Sequence, residues 1–207
     1  MAFDRHMNRV NKRGGRVFRG ASTPFGCILL YGPVGCGKTY FLRSTANEFR
    51  LANEFISCHK LKEQFKEGVK TQLYFKKLFS RARQRAPSMI ILDDIDEITS
   101  RYSLKDIKIR KAVYQLLREL DNIKPGDRLL ITATSDHPYL IEPLLFKSRR
   151  FDKLIFVPMP NLDARSELFE LYLQDLPIEN DINFKKFRSY LTRVQLLGHH
   201  TAGGVCR

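Results

Sequence analysis

A glycine-rich segment near the start of the chain has the residue types and spacing needed to bind phosphate. Residues 32–39 read GPVGCGKT, which fits the pattern GxxxxGKT, and they follow the apolar run at 27–31. Where such a loop joins a strand to a helix, its backbone N–H groups curl around a phosphate and the helix N-terminus adds its dipole. Lys38 is then expected to reach the outer phosphates, and the Thr39 hydroxyl to ligate Mg²⁺.

The predicted nucleotide contacts come from consecutive residues of this loop and the helix that it opens. They are Gly32, Pro33, Val34, Gly35, Cys36, Gly37, Lys38, Thr39 and Tyr40. The alternative is a chance match in a glycine-bearing turn. The predicted strand before the loop and the predicted helix after it argue against that alternative.

Further along the chain, a second apolar run ends in carboxylates. Residues 89–92 read MIIL and lead directly into Asp93 and Asp94. An acidic residue at the carboxyl end of a buried strand beside a phosphate loop can hold a magnesium shell, so Asp93 is assigned to the metal together with Thr39. Asp94 is the candidate to orient or deprotonate an attacking water. The alternative is an acidic helix start that supplies N-caps.

Short apolar runs and the helical patterns between them predict the elements that position these residues. The runs are residues 27–31, 54–57, 89–92, 129–133 and 154–157, and each has the length of a buried strand. Apolar residues at three- and four-residue spacing over 109–120 predict a helix that stops near Asn122. Such alternation predicts an α/β fold in three layers, with a mostly parallel five-stranded sheet between helices.

Three regions follow from this patterning. Residues 1–24 contain little apolar periodicity and are expected to form a mobile basic arm. Residues 25–160 hold all the predicted strands and form the α/β core. Residues 161–207 are expected to form a partial helical lid.

Within the predicted lid only the first helix is clear. Residues 162–176 have a helical pattern with Leu168, Leu171 and Leu176 expected to point inward, and a second helix is predicted over 183–197. The closing residues have no clear period. The chain is therefore either a fragment or carries a divergent lid.

Composition excludes several classes of protein. The chain has 207 residues, of which 43% are hydrophobic and 28% are charged, so disorder as the main state is excluded. No apolar run approaches the roughly 18 to 20 residues needed to cross a bilayer, and the start lacks a signal-peptide pattern. The four cysteines are too scattered for a disulfide framework, and the five histidines have no metal-ligand spacing with them. We expect a soluble cytoplasmic protein with reduced thiols and no membrane insertion.

The charge is strongly basic and uneven. Thirty-six Lys and Arg residues against 22 Asp and Glu give a formal charge of +14. The surplus lies in residues 1–20, 60–85 and 185–207. A basic surplus is typical of proteins with anionic partners, and nucleic acid is one of them. For residues 60–85 the alternative is a solvated face of an amphipathic helix.

With these motifs the sequence resembles the AAA ATPase family, in particular its NSF-like, valosin-containing-protein-like and proteasomal branch. The resemblance extends over residues 24–176. Residues 32–39 look like the family's Walker A motif and residues 89–98 like its Walker B motif. Residues 131–135, ITATS, are similar to the sensor-1 strand. Residues 140–173 resemble the second region of homology, which a generic P-loop kinase would lack.

The resemblance implies further site residues. Ser135 stands where the family's sensor 1 helps to hold the attacking water. Lys147 and Arg150 stand at the two positions of the arginine fingers, which in the family point at the nucleotide of the neighbouring subunit. Tyr172 falls where the family places a residue near the adenine, although a core position in the lid helix would also explain it. ATP and Mg²⁺ are the implied cofactors.

Three of these positions depart from the family pattern. Asp94 replaces the usual glutamate and is one methylene shorter, Ser135 replaces an amide side chain, and Lys147 replaces an arginine. Lysine cannot make the planar two-pronged contact with phosphate that arginine makes. These departures predict slow hydrolysis with intact nucleotide binding.

A pore-loop aromatic is the last feature implied by the resemblance. In the family an aromatic residue two positions before a glycine grips substrate polypeptide in a central channel. Here Phe65 lies three positions before Gly68, displaced by one. A packing role for Phe65 is the alternative.

These observations favour a Mg-ATP-binding AAA module that couples slow ATP hydrolysis to the remodelling or unfolding of a protein. The expected partners are a protein substrate or adaptor, and the expected assembly is a homo- or hetero-hexameric ring. The alternative is an assembly module, in which ATP binding joins subunits with little or no turnover. A nucleic-acid machine would suit the basic charge. The second region of homology favours protein remodelling over nucleic acid.

Overall fold

The computed structural model describes residues 26–67 and 71–173. The predicted basic arm over 1–24 and the predicted helix over 183–197 lie outside the described residues. Within the described residues, no helix is both long and apolar enough to span a bilayer.

All five predicted strands are present, with ends that differ by at most two residues from the predicted runs. Their bounds are β1 Cys27–Tyr31, β2 Ala52–Ser57, β3 Ser88–Asp93, β4 Leu129–Ser135 and β5 Lys153–Phe156. Continuous apolar runs in the centre of a parallel sheet form strands buried on both faces, because helices cover both sides. The two edge strands differ: only Ile56 of β2 is buried, and Ile155 and Phe156 of β5 are 47% and 54% exposed. The prediction of a buried strand is therefore wrong for β2 and β5. Every side chain of β3 before Asp93 is buried.

The strands form one sheet in the order β2-β3-β4-β1-β5, and every pair is parallel. The predicted fold class is confirmed, with a sheet that is entirely rather than mostly parallel. In a parallel sheet the carboxyl ends of all strands meet at one edge, where ligands bind in open α/β folds. Because β4 lies between β1 and β3, the segments that follow these two strands flank the end of β4.

Helices and short turns connect the strands. The helices are α1 Lys38–Glu48, α2 Cys58–Glu67, α3 Thr71–Gln84, α4 Asp96–Thr99, α5 Ile107–Asp121 and α6 Leu162–Leu173, with 3₁₀ turns at Ser103–Lys105, Pro125–Asp127, Pro138–Leu140 and Pro143–Phe146. At the start of α5 the Asp106 carboxylate accepts the backbone N–H of Lys108 at 2.7 Å, a normal N-cap. The helix ends at Asp121 with Asn122 as its C-cap, which agrees with the predicted stop near Asn122.

Alternate strand residues face two separate cores. One core holds Leu29, Ile90, Leu92 and Ile131 together with apolar residues of α2, α3 and α5. The opposite core holds Leu30, Met89 and Ile91 together with Leu42 and Ala46 of α1. The sheet is therefore the middle layer of three. Because β1 and α1 are both packed in these cores, the two ends of the phosphate loop that joins them are fixed.

The described residues of the basic segment 60–85 lie mainly in α2 and α3, which bury most of their apolar side chains and turn their basic side chains outward. Some of these basic groups pair within the chain: Lys62 Nζ lies 2.8 Å from Glu97 Oε2, and Arg83 Nε lies 3.1 Å from Asp127 Oδ2. This arrangement supports the interpretation of the segment as a solvated helix face.

Phe65 belongs to the apolar side of α2 and is fully buried. Its ring packs edge-on against Tyr74 and Phe75, with centroids 5.9 and 6.4 Å away. A buried ring cannot grip a polypeptide in a channel. The packing alternative therefore explains Phe65, and the pore-loop hypothesis for this residue is wrong.

The chain divides into two compact units, with the boundary between Pro158 and Met159. In the second unit, α6 extends over Leu162–Leu173. Leu168 and Leu171 are 45% and 58% exposed, so the prediction that they point inward is wrong. The apolar residues of α6 are spread around the helix rather than gathered in one stripe, and such a helix cannot bury all of them on one side. Leu176 lies outside the described residues.

Candidate functional site

The loop between β1 and α1 is shaped by two glycines that no other residue could replace without strain. Gly37 has φ of 92°, which side chains with a Cβ rarely adopt, and it stands at the N-cap of α1. A Cβ on Gly32 would lie 2.1 Å from the carbonyl oxygen of Val157. Between them Pro33, Val34 and Gly35 are exposed, so the loop presents its backbone to solvent at the N-terminus of α1.

Lys38 is the first residue of α1 and is only 5% exposed. Its Nζ donates to the carbonyl oxygens of Gly32 at 2.9 Å and Pro33 at 2.7 Å. The same ammonium pairs with Asp136, whose Oδ1 lies 2.5 Å away. Burial is the largest single effect and opposes the charge, but the bond to Asp136, the charge of Asp136 and the contact with Cys36 together outweigh it, and the pKa of Lys38 is raised. Lys38 therefore stays cationic at neutral pH.

Thr39 and Asp93, the two predicted metal ligands, are in contact. The Thr39 hydroxyl donates to Asp93 Oδ1 at 2.6 Å, across the carboxyl end of β4. Thr134, on β4 between them, donates its own hydroxyl to the same oxygen at 2.8 Å. The three side chains lock the start of α1 to the end of β3.

Asp94 has an unusual backbone and an unusual acidity. Its φ is 54°, in the left-handed region, which aspartate tolerates better than most residues. Its backbone N–H donates to the Thr134 hydroxyl at 2.9 Å, and this bond holds the turn. Burial, followed by the charges of Asp93, Asp136 and Asp96, raises the pKa of Asp94 to about 6. Asp94 is mostly ionised at neutral pH and able to accept a proton.

These groups suit a magnesium ion held mainly by phosphate. Mg²⁺ prefers oxygen ligands and is usually bound by one or two protein groups plus phosphates and waters. Thr39 and Asp93 supply a hydroxyl and a carboxylate at one point. Among residues 26–67 and 71–173, no group of three or more His, Cys, Asp or Glu side chains could hold a metal alone. The donor set therefore fits a metal that arrives with a phosphate.

Ser135 is fully buried at the end of β4. Its Oγ accepts the backbone N–H of His137 at 3.1 Å, and its carbonyl oxygen accepts the backbone N–H of Gly32 at 3.3 Å. These bonds tie the end of β4 to the phosphate loop. The structure thus places Ser135 beside the loop, with its hydroxyl turned to backbone.

Arg150 is bound within its own chain. Its Nε and one terminal nitrogen donate to both oxygens of Asp121, at the end of α5, at 2.8 and 2.7 Å. A further nitrogen donates to the carbonyl oxygen of Leu144 at 2.7 Å. The Asp121 pKa is lowered, first by its bond to Arg150. Lys147, by contrast, is exposed.

The remaining predicted contacts lie on the surface. Val34 is 70% exposed and Tyr40 is 68% exposed, on the loop and on the first turn of α1. Tyr172 is 65% exposed and lies on α6 in the second unit. Cys36 is half-buried, and its sulfur lies 3.5 Å from Lys38 Nζ.

Three residues that contact the predicted site residues were not singled out from the sequence. Thr134 bridges Asp93 and Asp94, Asp136 pairs with Lys38, and Asp121 pairs with Arg150. The signal for the first two was present, since both lie at or just after the end of a predicted strand. These positions point to the site only once the strand order is known, because that order places the end of β4 next to the phosphate loop that follows β1.

A family comparison decides what kind of core this is. The ATPase family associated with various cellular activities (AAA) matches residues 28–159, which include both carboxylates and the entire phosphate loop. The chain belongs to the AAA ATPase family. The family resemblance stated from the motifs is confirmed.

Individual relatives agree with this assignment. A proteasome-activating nucleotidase of Saccharolobus solfataricus is 34% identical over 176 residues, which cover 82% of this chain and 44% of the relative. A proteasome-activating nucleotidase of Methanocella arvoryzae is 30% identical over 164 residues, 77% of this chain and 39% of the relative. The AAA chain described here thus spans less than half the length of these relatives.

Proposed function

We propose that this AAA module binds Mg-ATP at residues 32–39 and hydrolyses it slowly, in a hexameric ring that remodels a protein. The observation that carries the proposal is the contact between Thr39 and Asp93, with Lys38 on the same edge of the sheet. A hydroxyl, a carboxylate and a buried ammonium thus meet at a helix N-terminus, where a phosphate with its magnesium ion would bind.

Each residue then has a role in the proposed reaction. Lys38 would counter charge on the outer phosphates, and Thr39 with Asp93 would hold the metal, which neutralises charge on the phosphates when bound. Asp94, with its pKa near 6, would accept the proton of the attacking water. Ser135 would fix the end of β4 against the loop rather than hold the water itself, because its hydroxyl is bound to backbone.

Slow turnover is expected from the residues that would stabilise the negative charge on the phosphate oxygens in the transition state. An arginine supplied by a neighbouring subunit is worth roughly 10³ to 10⁵ in rate in P-loop enzymes. Here Arg150 would have to leave or share its bidentate contact with Asp121, and Lys147 is the lysine at the other finger position. The first feature leaves less free charge for a neighbour's nucleotide, and the second replaces the planar two-pronged contact of an arginine with the single ammonium of a lysine.

A protein partner is proposed from the relatives, and a ring is proposed from the resemblance to the AAA family. Their name, proteasome-activating nucleotidase, describes nucleotide-using proteins that act on another protein assembly. The same arrangement for this chain is supported by the match over 28–159. Nucleic acid is less favoured as a partner, because the basic side chains of α2 and α3 include several that pair within the chain.

The second candidate function is a nucleotide-dependent assembly module with little or no turnover. The contact between Arg150 and Asp121 favours it, since an arginine held inside its own subunit contributes to structure rather than to a neighbour's reaction. The two candidates share the nucleotide site and differ only in hydrolysis.

One experiment tests the proposal and separates the candidates. Phosphate release per chain is measured against protein concentration, with the molar mass measured by light scattering on the same samples with and without Mg-ATP. The proposed enzyme releases phosphate, and its rate per chain rises as the mass rises. Growth of the mass with Mg-ATP but no phosphate release would select the assembly module. If Mg-ATP changes neither quantity and does not bind, both candidates are wrong.

A further inference from the structure

Asp136 lies against the phosphate-loop lysine and is held there by its neighbours. The Ser135 carbonyl oxygen accepts the N–H of Gly32, and the Ser135 hydroxyl accepts the N–H of His137. Ser135 itself is fully buried at the end of β4. The backbone on both sides of Asp136 is therefore fixed relative to the loop, and the Asp136 carboxylate is a built part of the site rather than a mobile surface group.

The Lys38 ammonium has three N–H donors, and the structure uses all of them. Two go to the carbonyl oxygens of Gly32 and Pro33, and the third faces Asp136 Oδ1 at 2.5 Å. A weaker contact reaches Cys36 Sγ at 3.5 Å. The two carbonyl groups belong to the loop backbone and cannot leave without distorting it. A phosphate oxygen can reach Lys38 with least disturbance by replacing Asp136.

The exchange would leave the Asp136 carboxylate in an unfavourable place. Within the described part of the chain, its buried Oδ1 has no ion-pair or hydrogen-bond partner other than Lys38. Asp136 lies close enough to Asp94 that their charges interact, and the charges of Asp93 and Asp96 act on Asp94 as well. An incoming phosphate adds more negative charge to this group. A carboxylate deprived of its cation in a partly buried site is costly.

We propose that Asp136 competes with the phosphates of ATP for Lys38 and thereby lowers the affinity of the site for nucleotide. The inference rests on the proposed function, because it assumes that ATP binds at residues 32–39. It adds an affinity-setting residue that the loop motif does not contain. Asp136 acts by occupying the cation that the phosphate needs, so removing its charge must strengthen binding.

The test is the substitution Asp136→Asn, which keeps the size of the side chain and removes its charge. Mg-ATP is titrated into the wild-type and variant chains by calorimetry, and thermal unfolding is measured without nucleotide. We expect the dissociation constant to fall about tenfold, which corresponds to about 1.4 kcal/mol. The nucleotide-free variant should unfold at a lower temperature, because the buried Lys38 cation loses its counter-charge. Tighter ATP binding together with a lower unfolding temperature of the nucleotide-free variant is what competition between Asp136 and phosphate predicts.

Asp96→Asn is the matched control. It removes the same charge from the same acidic group, but Asp96 pairs with His137 and not with Lys38. We expect its gain in ATP affinity to be much smaller than that of Asp136→Asn. Equal gains would show that only the general negative charge matters and would overturn the competition. Asp136→Ser replaces Asp136→Asn if the latter does not fold, with the same expectation.

The outcomes separate this inference from the proposed function. If the wild-type chain binds ATP and Asp136→Asn binds it equally or more weakly, Asp136 positions Lys38 rather than competing for it, and the inference alone is wrong. If neither the wild-type chain nor any Asp136 variant binds ATP, the proposed function is wrong and the inference falls with it. If only the Asp136 variants bind ATP measurably, both are supported.

Discussion

At the scale of single residues, the site places one buried cation, the Lys38 ammonium, among several carboxylates that repel one another. Lys38 pairs with Asp136, while the charges of Asp93, Asp96 and Asp136 act on Asp94. The carboxylates repel one another in a partly buried site, so protonation of one of them relieves the repulsion. Burial first, and then this repulsion, raises the pKa of Asp94.

The raised pKa of Asp94 predicts a pH dependence of stability. Its pKa is about 6 in the folded chain and 3.8 ordinarily, so the folded state binds more protons between these values. The free energy of unfolding should therefore fall as the pH rises from about 4 to 6, by of the order of 1–3 kcal/mol. Asp94→Asn removes this loss. In metal-free buffer its unfolding temperature should rise above that of the wild-type chain as the pH passes through this window.

The control for this measurement is Glu48→Gln, at the exposed end of α1. It changes one carboxyl group outside the acidic cluster, and its curve should follow the wild-type curve. A constant difference between Asp94→Asn and the wild-type chain at every pH would contradict the raised pKa.

At the scale of elements, the end of β4 organises the site. Thr134 donates its hydroxyl to Asp93 and accepts the N–H of Asp94, while its carbonyl oxygen accepts the N–H of Ile95 at 2.9 Å. One residue of β4 thus fixes the entire turn that follows β3. The neighbouring Ser135 ties the same strand end to the phosphate loop.

Thr134→Val should separate this organising role from simple burial. Valine keeps the shape but loses both hydroxyl bonds, so we expect a loss of about 1–3 kcal/mol in stability. Because Asp93 and the Asp94 turn lose their support, Mg-ATP affinity and phosphate release should also fall. Calorimetry and a phosphate-release assay measure these effects.

Thr132→Val is the matched control, on the same strand and equally buried. The Thr132 hydroxyl donates only to the Ile90 carbonyl oxygen at 3.1 Å, away from the carboxylates. The Thr132→Val variant should be less stable than the wild-type chain but should bind ATP with the same affinity. The role of Thr134 is refuted if the two variants affect nucleotide binding alike.

The sequence was informative where a residue's environment follows from its near neighbours. The strands were predictable because continuous apolar runs such as 89–92 are buried on both faces. The phosphate loop was predictable because its chemistry is local. The contacts of Asp136 with Lys38 and of Asp121 with Arg150 were not, since they join segments that meet only through the strand order and the tertiary fold. The exposure of Leu171 was missed because α6 lacks a single apolar stripe.

At the scale of the whole molecule, the role of Arg150 decides how subunits would cooperate. Arg150→Ala removes both the contact with Asp121 and any contact with a neighbour's nucleotide. Asp121→Asn weakens only the contact within the chain and frees the guanidinium. If Arg150 acts in a neighbour's site, Arg150→Ala should lower phosphate release at least tenfold with little change in ATP affinity. Asp121→Asn should then keep or raise the rate.

These rates are compared at concentrations where all three proteins have the same molar mass. Both variants are expected to lose some stability, because a bidentate ion pair is disrupted in each. Equal losses of rate in the two variants would show that Arg150 serves only structure. That result would favour the assembly module over the enzyme.

Binding of Mg-ATP at residues 32–39 through Lys38 is the central property proposed for this chain. Calorimetric titration of Mg-ATP into the wild-type chain, Lys38→Ala and Lys77→Ala tests it most directly, with thermal unfolding confirming that each variant is folded. Lys77 is an exposed lysine of α3, so its variant makes the same chemical change away from the loop. We expect one site per chain in the wild type and in Lys77→Ala, and no measurable binding by folded Lys38→Ala. Unchanged binding by folded Lys38→Ala would show that residues 32–39 do not bind ATP through Lys38.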